Sequence, residues 1–274
     1  MPGKRYFFVF YRVGFFMTAS ALPQLCAAGE SHVGCVRRCN EDNFCYISRY
    51  PGYLLAVVAD GVGGHVGGEI ASYLVCHRLM LDWKRFFGSN QTPLNSQLAK
   101  WLDESIQRAN LDIFAANFDH KNKVPMCTTL AAAVFTPDMV IVAHVGDSRV
   151  YCCRGGKCWQ LTVDHTLKND LYEQGAHDAG KLYGTHIISR AVGAGTHLKV
   201  EMHSYFRQGN ERYLLCTDGL VNCWNDREIC QVLSSAAVPR NANDQFIRGT
   251  LRKGAADNVT VLSVFPEKIP DQEY

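Results

Sequence analysis

Three apolar runs in this chain each lead to an aspartate followed by a very small residue. Leu54 to Ala59 leads into Asp60-Gly61, Val140 to Gly146 into Asp147-Ser148, and Tyr213 to Thr217 into Asp218-Gly219. A fourth carboxylate, in Asp257-Asn258, stands at the entrance of the run Val259 to Phe265. Short, unbroken apolar runs read as strands buried on both faces, so their carboxylates can converge at one edge of a sheet. Ionised carboxylates gathered away from water repel one another and are costly without partners. Convergence therefore implies bound cations, and an all-oxygen donor set suits Mg²⁺ or Mn²⁺ where zinc would favour His and Cys. Gly61 fits, because a residue without a Cβ lets its carbonyl approach an ion. Any one of these aspartates alone reads as a turn or cap residue; the recurrence of one context favours metal.

Upstream lies a charged patch in which Arg37 precedes the adjacent carboxylates Glu41 and Asp42. It reads either as a solvated turn or as further ligands of metal or metal-bound water beside an anion receptor. Arginine is the side chain best shaped to grip phosphate with two parallel hydrogen bonds.

The elements that must position these residues follow from periodicity. Residues 69–83 carry Ile70, Tyr73, Leu74, His77 and Leu81 at helical spacing. Thr92-Pro93 offers a cap and first-turn proline for a second helix, whose apolar face is Leu98, Trp101, Leu102, Ile106, Ala109 and Ile113. Thr128 to Phe135, the turn 136–138 and Met139 to Val145 predict a hairpin, and Arg149-Val150-Tyr151 opens another strand. Residues 161–186 are polar, glycine-containing and weakly periodic, which predicts a surface excursion; its histidines, His165, His177 and His186, could be ligands, but without paired spacing they read as polar surface. Asn225 to Glu228 reads as a capping box before a helix at 229–234, and Asn243 to Lys253, stopped by Gly254, is the last helix.

Composition is that of an ordinary globular chain: of 274 residues 47% are hydrophobic and 20% charged, and the net charge of +2 makes no case for nucleic acid or membrane. The 12 cysteines include no Cys-x-x-Cys pair, so a zinc site or redox dithiol is poorly supported; a reducing compartment suits them best, and in an exported protein their even count could instead mean disulfides. The Gly-x-x-x-x-Gly-Lys-Ser/Thr form of a nucleotide-binding loop is absent.

Taken together, the blocks Gly34-x-Val36-Arg37-x-x-Asn40-Glu41-Asp42, Ala59-Asp60-Gly61-x-Gly63-Gly64-His65-x-x-Gly68-Glu69, Thr128-Thr129-Leu130, Gly146-Asp147-Ser148-Arg149, Leu161-Thr162-x-Asp164-His165, Ser189-Arg190-Ala191-Val192-Gly193, Thr217-Asp218-Gly219-Leu220 and Asp257-Asn258-Val259-Thr260 resemble, in type and order, the PPM family. These are metal-dependent serine/threonine protein phosphatases, here in bacterial form. The resemblance implies an α+β fold, a four-layer αββα sandwich of two antiparallel sheets flanked by helices, with metals in a cleft at one end. It implies two core Mn²⁺ or Mg²⁺ ions, about 3.5–4 Å apart as in other two-metal hydrolases, and a third, weaker one. By resemblance, Asp60 bridges the core ions, Gly61 offers its carbonyl, Asp218 and Asp257 complete the first site, and Glu41 and Asp42 hold metal-bound waters. Asp147 with Asp218 forms the third site, Arg37 binds phosphate, and His65 fills the bacterial slot near the leaving group. Residues 165–188 correspond to the flap beside the substrate and are shorter than in typical members, without the usual acidic helix-like insert.

The expected organisation is an N-terminal extension (1–27), a phosphatase domain (28–266) and a tail (267–274). Expected partners are phosphoprotein substrates, those of a cognate Ser/Thr kinase, with no nucleic acid and no membrane span, the protein being a monomer. Two competing readings are a regulatory binding module on a degenerate phosphatase fold and another two-metal phosphoesterase. Residues 1–21 resemble a signal peptide interrupted by Arg12; the alternative, translation from Met17 into a cytoplasmic protein, ranks first. Mass spectrometry of the native N-terminus is expected to find Met17, and a mature terminus at Leu22 or recovery from a periplasmic fraction would overturn this.

Overall fold

The computed structural model describes residues 23–49, 52–62, 66–88, 92–119, 125–175 and 187–267. One antiparallel sheet runs β1 (Leu25–His32), β11 (Val259–Pro266), β10 (Arg212–Cys216), β7 (Arg149–Arg154), β8 (Lys157–Gln160). The other runs β2 (Asp42–Arg49), β3 (Tyr53–Val62), β5 (Leu130–Phe135), β6 (Met139–Val145), β9 (Glu201–Phe206), with the two-residue β4 (Cys127–Thr128) pairing with the end of β3. Helices α1 (Val66–Phe86) and α2 (Asn95–Asp119) pack on the β2–β9 sheet, and α5 (Asp226–Ser235) and α6 (Pro239–Arg252) on the β1–β8 sheet. The expected αββα sandwich is the fold.

Side-chain alternation explains why its strands read as unbroken apolar runs. In β3, Leu54, Ala56 and Val58 face the other sheet, where they meet Tyr213, Leu215, Leu262 and Val264. Leu55, Val57 and Ala59 face α1 and α2, against Val75, Leu79 and Leu102. Both faces of a central strand are therefore dry, and no polar alternation survives in the sequence. Asp60 continues the even-numbered row, so its side chain falls at the end of the space between the sheets.

The capping box at Asn225 and Glu228 is present as read. Expected helix boundaries move, and short helices are added. The second helix begins at Asn95 rather than after Thr92, because the Gln97 side chain accepts from the Leu94 N–H (2.8 Å) and closes its first turn. The last helix begins at Pro239, whose ring suits a first helical position. The supposed surface excursion contains α3 (Leu167–Glu173), capped by the Thr166 side chain accepting from the Asn169 N–H; with no buried residue it shows no apolar period to read. A four-residue helix, α4 (Asp218–Val221), begins directly at Asp218. Strands β1, β2, β8 and β9 were not legible, being edge or half-buried strands with mixed composition.

Of the cysteines, several lie in the core and two meet across one hairpin. Cys76 and Cys216 are buried as small hydrophobes and Cys127 is half-buried, while Cys153 and Cys158 oppose each other across the β7–β8 hairpin with Cα atoms 4.1 Å apart, which brings their sulfurs together. A search for Cys-x-x-Cys does not see a pair that hairpin register brings together. Among the described residues, no helix is long and apolar enough to cross a membrane.

Candidate metal centre and active site

Asp42 and Asp60 are direct cross-strand partners at the end of the β2–β3 ladder, a placement that is destabilising for like charges. Asp147, Asp218 and Asp257 arrive from the end of β6, the end of β10 and the entrance of β11. Burial pushes the Asp60 carboxyl well above the ordinary range, and Asp42, Asp218, Asp147 and Asp257 push it further. All five aspartates singled out in the sequence thus share one electrostatic neighbourhood. Burial likewise pushes Asp42 up to about 7, aided by Asp218 and Asp257 and opposed by hydroxyl hydrogen bonds. Asp147 is pushed up to about 7 by burial, with Asp218 and Asp164 adding repulsion.

A hydroxyl and amide lattice fixes the Asp42 carboxylate and the backbone that carries Asp60 and Glu41. The Thr217 Oγ1 donates to Asp42 Oδ2 (2.8 Å) while accepting from the Thr260 N–H (3.0 Å). The Asp60 N–H donates to Thr129 Oγ1 (3.0 Å), and its carbonyl accepts from Thr128 Oγ1 and the Thr129 N–H, both at 2.8 Å. Asn258 Oδ1 accepts from the Glu41 N–H (2.9 Å), and its Nδ2 donates to the carbonyls of Val33 and Cys39. Asn258 therefore ties the Arg37–Glu41 loop to the entrance of β11. Thr217, Thr129 and Asn258 are not read as functional from the sequence, although each sits inside a motif block; Thr217 and Asn258 adjoin an aspartate, whereas Thr129 meets Asp60 only across the β3–β5 pairing.

The lattice leaves buried oxygens over. Asp42 Oδ1 and Asp147 Oδ1 are buried without a hydrogen-bond partner, which native structures rarely tolerate. Two orphaned carboxylate oxygens within one cluster of repelling aspartates fit hard divalent cations in donor type and charge. Gly61 is needed sterically: a Cβ there would overlap the Gly68 backbone and come 2.8 Å from the Glu41 carbonyl. That close packing of β3 on α1 is a second reason for glycine beside an open carbonyl.

Arg37 lies at the mouth of the cluster. Its Nη2 donates to Asp257 Oδ2 (2.8 Å), with the two side chains 47% and 34% exposed. An exposed pair of this kind is weak and exchangeable. A cleft of about 490 Å³ adjoins Asp147 and Asp218, walled by Arg149, Asp164, Thr166 and Lys168. His65 lies outside the described residues. His165 contradicts its expectation of polar surface: it is 3% exposed, because it packs between the Gly146 turn and β9.

Comparison with known proteins agrees with this geometry. The profile of the protein phosphatase 2C family matches residues 28–252. The chain belongs to that family, the metal-dependent serine/threonine phosphatases. It is 32% identical over 234 residues to the serine/threonine phosphatase stp of Listeria monocytogenes, covering 84% of this chain and 92% of that one. It is 35% identical over 238 residues to PstP of Mycobacterium tuberculosis, 86% of this chain but 44% of that longer protein. Among solved structures, the M. tuberculosis PstP/Ppp phosphatase superposes with a TM-score of 0.76 at 31% identity, covering 89% of this chain and 99% of that one. The catalytic domain of PstP in complex with two manganese ions superposes with a TM-score of 0.75 at 32% identity, over 88% and 97% of the two chains.

The carboxylate cluster of this phosphatase sets a pH signature. The folded values of Asp42 and Asp147 lie above the roughly 3.9 of an unfolded aspartate. The cation-free fold therefore holds more protons than the unfolded chain between about pH 4 and 7 and loses stability as pH rises through that window. In EDTA the melting temperature is expected to fall from about pH 5 to about pH 8 and to recover on adding Mn²⁺ at the upper pH. A melting temperature that rises with pH in EDTA would contradict the buried-carboxylate arrangement.

Proposed function

We propose that this chain hydrolyses phosphoserine and phosphothreonine in proteins with the help of two bound Mn²⁺ or Mg²⁺ ions. The observation that carries the reading is the convergence of five aspartates, two with orphaned buried oxygens, at one end of a protein phosphatase 2C sandwich. A degenerate binding module on this fold would have no use for an intact, mutually repelling ligand set. Another two-metal phosphoesterase would fit the carboxylates but not the family match.

Bound divalent ions supply a water of lowered pKa and neutralise phosphate charge. Asp60, at the centre of the repulsion, is assigned to both core ions, Asp218 and Asp257 to the first, and the Gly61 carbonyl to the same centre. Glu41 and Asp42 are assigned to the coordinated waters, and Asp147 with Asp218 to a peripheral third ion. Arg37 holds Asp257 until substrate arrives, then turns its guanidinium to the phosphate oxygens, where charge spreads in a loose transition state. Thr217 keeps the Asp42 carboxylate from rotating, and Thr129 holds the backbone that carries Asp60. The cleft beside Asp147 and Asp218 accommodates protein substrate. The phosphoproteins are those of a partner Ser/Thr kinase, met by a monomeric enzyme in the cytoplasm, with residues 28–266 as its phosphatase domain.

Phosphate release from para-nitrophenyl phosphate and from a phosphothreonine peptide is expected to require Mn²⁺. Asp60→Asn is expected to abolish it and to lower the number of tightly bound ions in a calorimetric titration. The cation-free fold should gain stability, because one charge leaves the cluster. Wild-type hydrolysis by Asp60→Asn would sink the two-metal reading.

Arg37→Ala should weaken use of the phosphopeptide by the equivalent of about 1.5–3 kcal/mol, the worth of a charge-assisted hydrogen bond, with Mn²⁺ affinity nearly unchanged. Unchanged kinetics would remove Arg37 from the phosphate site, and a large loss of Mn²⁺ affinity would make it a structural partner of Asp257.

A further inference from the structure

His165 and Glu201 have no place in the carboxylate cluster, yet they lie behind it in a closed chain of hydrogen bonds. The Gly146 N–H donates to His165 Nδ1 (3.1 Å), and the His165 N–H donates to the Gly146 carbonyl (2.9 Å), so one residue grips Gly146 at both ends. His165 Nε2 meets Glu201 Oε2 (3.2 Å), whose other oxygen Oε1 meets His203 Nε2 (3.0 Å). The ring of His144 stacks on that of His165, centroids 4.5 Å apart and planes 21° apart, and fixes its plane.

Gly146 is the residue before Asp147, and its φ of +97° suits only glycine; a Cβ would also press on Thr129 at 2.8 Å. On the far side of Asp147, Ser148 Oγ and Thr129 Oγ1 share a hydrogen bond (2.7 Å), and Thr129 Oγ1 also accepts from the Asp60 N–H. Asp147 thus rides on a turn held from behind by His165 and in front by the same threonine that holds Asp60.

His144, His165 and Glu201 are close enough together to suggest a second metal site, but the hydrogen bonds argue otherwise. Because Nδ1 of His165 accepts from a backbone amide, the ring proton sits on Nε2 and points at Glu201. An ion at Nε2 would drive that proton to Nδ1, against the Gly146 N–H. The arrangement is a carboxylate orienting a histidine, of the kind that fixes tautomer and ring position beside a working group. Burial, with the neighbouring His144, pushes His165 down to about 4, and the hydrogen bonds from His203 and His165 outweigh burial to hold Glu201 at about 2. The ring is neutral and the carboxylate ionised at working pH, as such an orienting pair requires.

We propose that Glu201 and His165 are positioning residues for Asp147: Glu201 sets the tautomer of His165, and His165 holds the Gly146 turn so that Asp147 is preorganised for the peripheral ion. The inference rests on the assignment of Asp147 to that ion, and it adds an element of the β9 edge strand to the metal-binding apparatus.

The test compares Glu201→Ala, His165→Ala, His165→Asn and Asp147→Asn with the wild type by Mn²⁺ titration of activity, by calorimetric Mn²⁺ binding and by thermal melting. Losing the orienting hydrogen bond is expected to raise the Mn²⁺ concentration for half-maximal activity in Glu201→Ala by up to about tenfold, with turnover at saturating Mn²⁺ close to wild type. His165→Asn, whose Oδ1 takes the place of Nδ1 toward Gly146, should recover most of what His165→Ala loses. ¹⁵N NMR of the wild-type ring should show the Nε2-protonated tautomer. An unchanged Mn²⁺ requirement in Glu201→Ala beside a raised one in Asp147→Asn would overturn the proposal while leaving the peripheral ion standing. An Nδ1-protonated ring would also overturn it. If Asp147→Asn itself left the Mn²⁺ requirement unchanged, the peripheral-ion assignment would fall and this inference with it. Should His165→Ala fail to fold, Glu201→Ala, at a half-exposed position on an edge strand, carries the test alone.

Discussion

The repulsion among Asp42, Asp60, Asp147, Asp218 and Asp257 is the constraint around which this phosphatase is built. Each would be unremarked alone at the surface of a loop. Brought together, with Asp42 directly opposite Asp60, they make a region that the polypeptide cannot satisfy by itself. Burial drives Asp42 and Asp147 up to about 7, so the cation-free fold favours protons where the working protein needs cations. That competition couples metal binding, pH and stability at a single place.

A fold that carries such a site needs rigidity elsewhere, and the sandwich provides it. The inter-sheet core of Leu54, Ala56, Val58, Phe135, Tyr213, Leu215, Leu262 and Val264 runs directly up to the carboxylates. Strand ends fixed by that core cannot splay apart to relieve repulsion, which is what preorganises a charged site at the moment of reaction. The Thr217 hydroxyl then holds the Asp42 carboxylate, and the Thr129 hydroxyl and the Asn258 amide hold the backbone at Asp60 and Glu41. Arg37 is the contrast: about half exposed and paired with Asp257 only at the surface, it retains the freedom to exchange partners.

The region after Asp164 shows how tertiary context reassigns a residue type. His165 stands in a polar, weakly periodic stretch, yet the Gly146 turn, His144 and Glu201 enclose it. Its partners come from two distant segments, 144–146 and β9, so no local pattern announces them. The Cys153–Cys158 pair is a second instance, created by the register of the β7–β8 hairpin.

The sequence by itself determined the central strands, the helices with strong apolar faces, the capping box at Asn225 and the identity of the carboxylates. Those features are local: a run buried on both faces, a 3.6-residue period, or an aspartate beside glycine can be read within a dozen residues. Only the tertiary structure decided which carboxylates oppose one another, which oxygens remain orphaned, that Arg37 holds Asp257, and that His165 is buried behind Asp147. The edge strands β1, β2, β8 and β9 belong to the same class, because their one-sided burial comes from partners far away in the chain. The division has one physical cause. Burial and pairing are properties of surfaces that meet, and residues as distant as Glu201 and Gly146 acquire a joint role only when the sheets and turns bring them within hydrogen-bonding reach of His165.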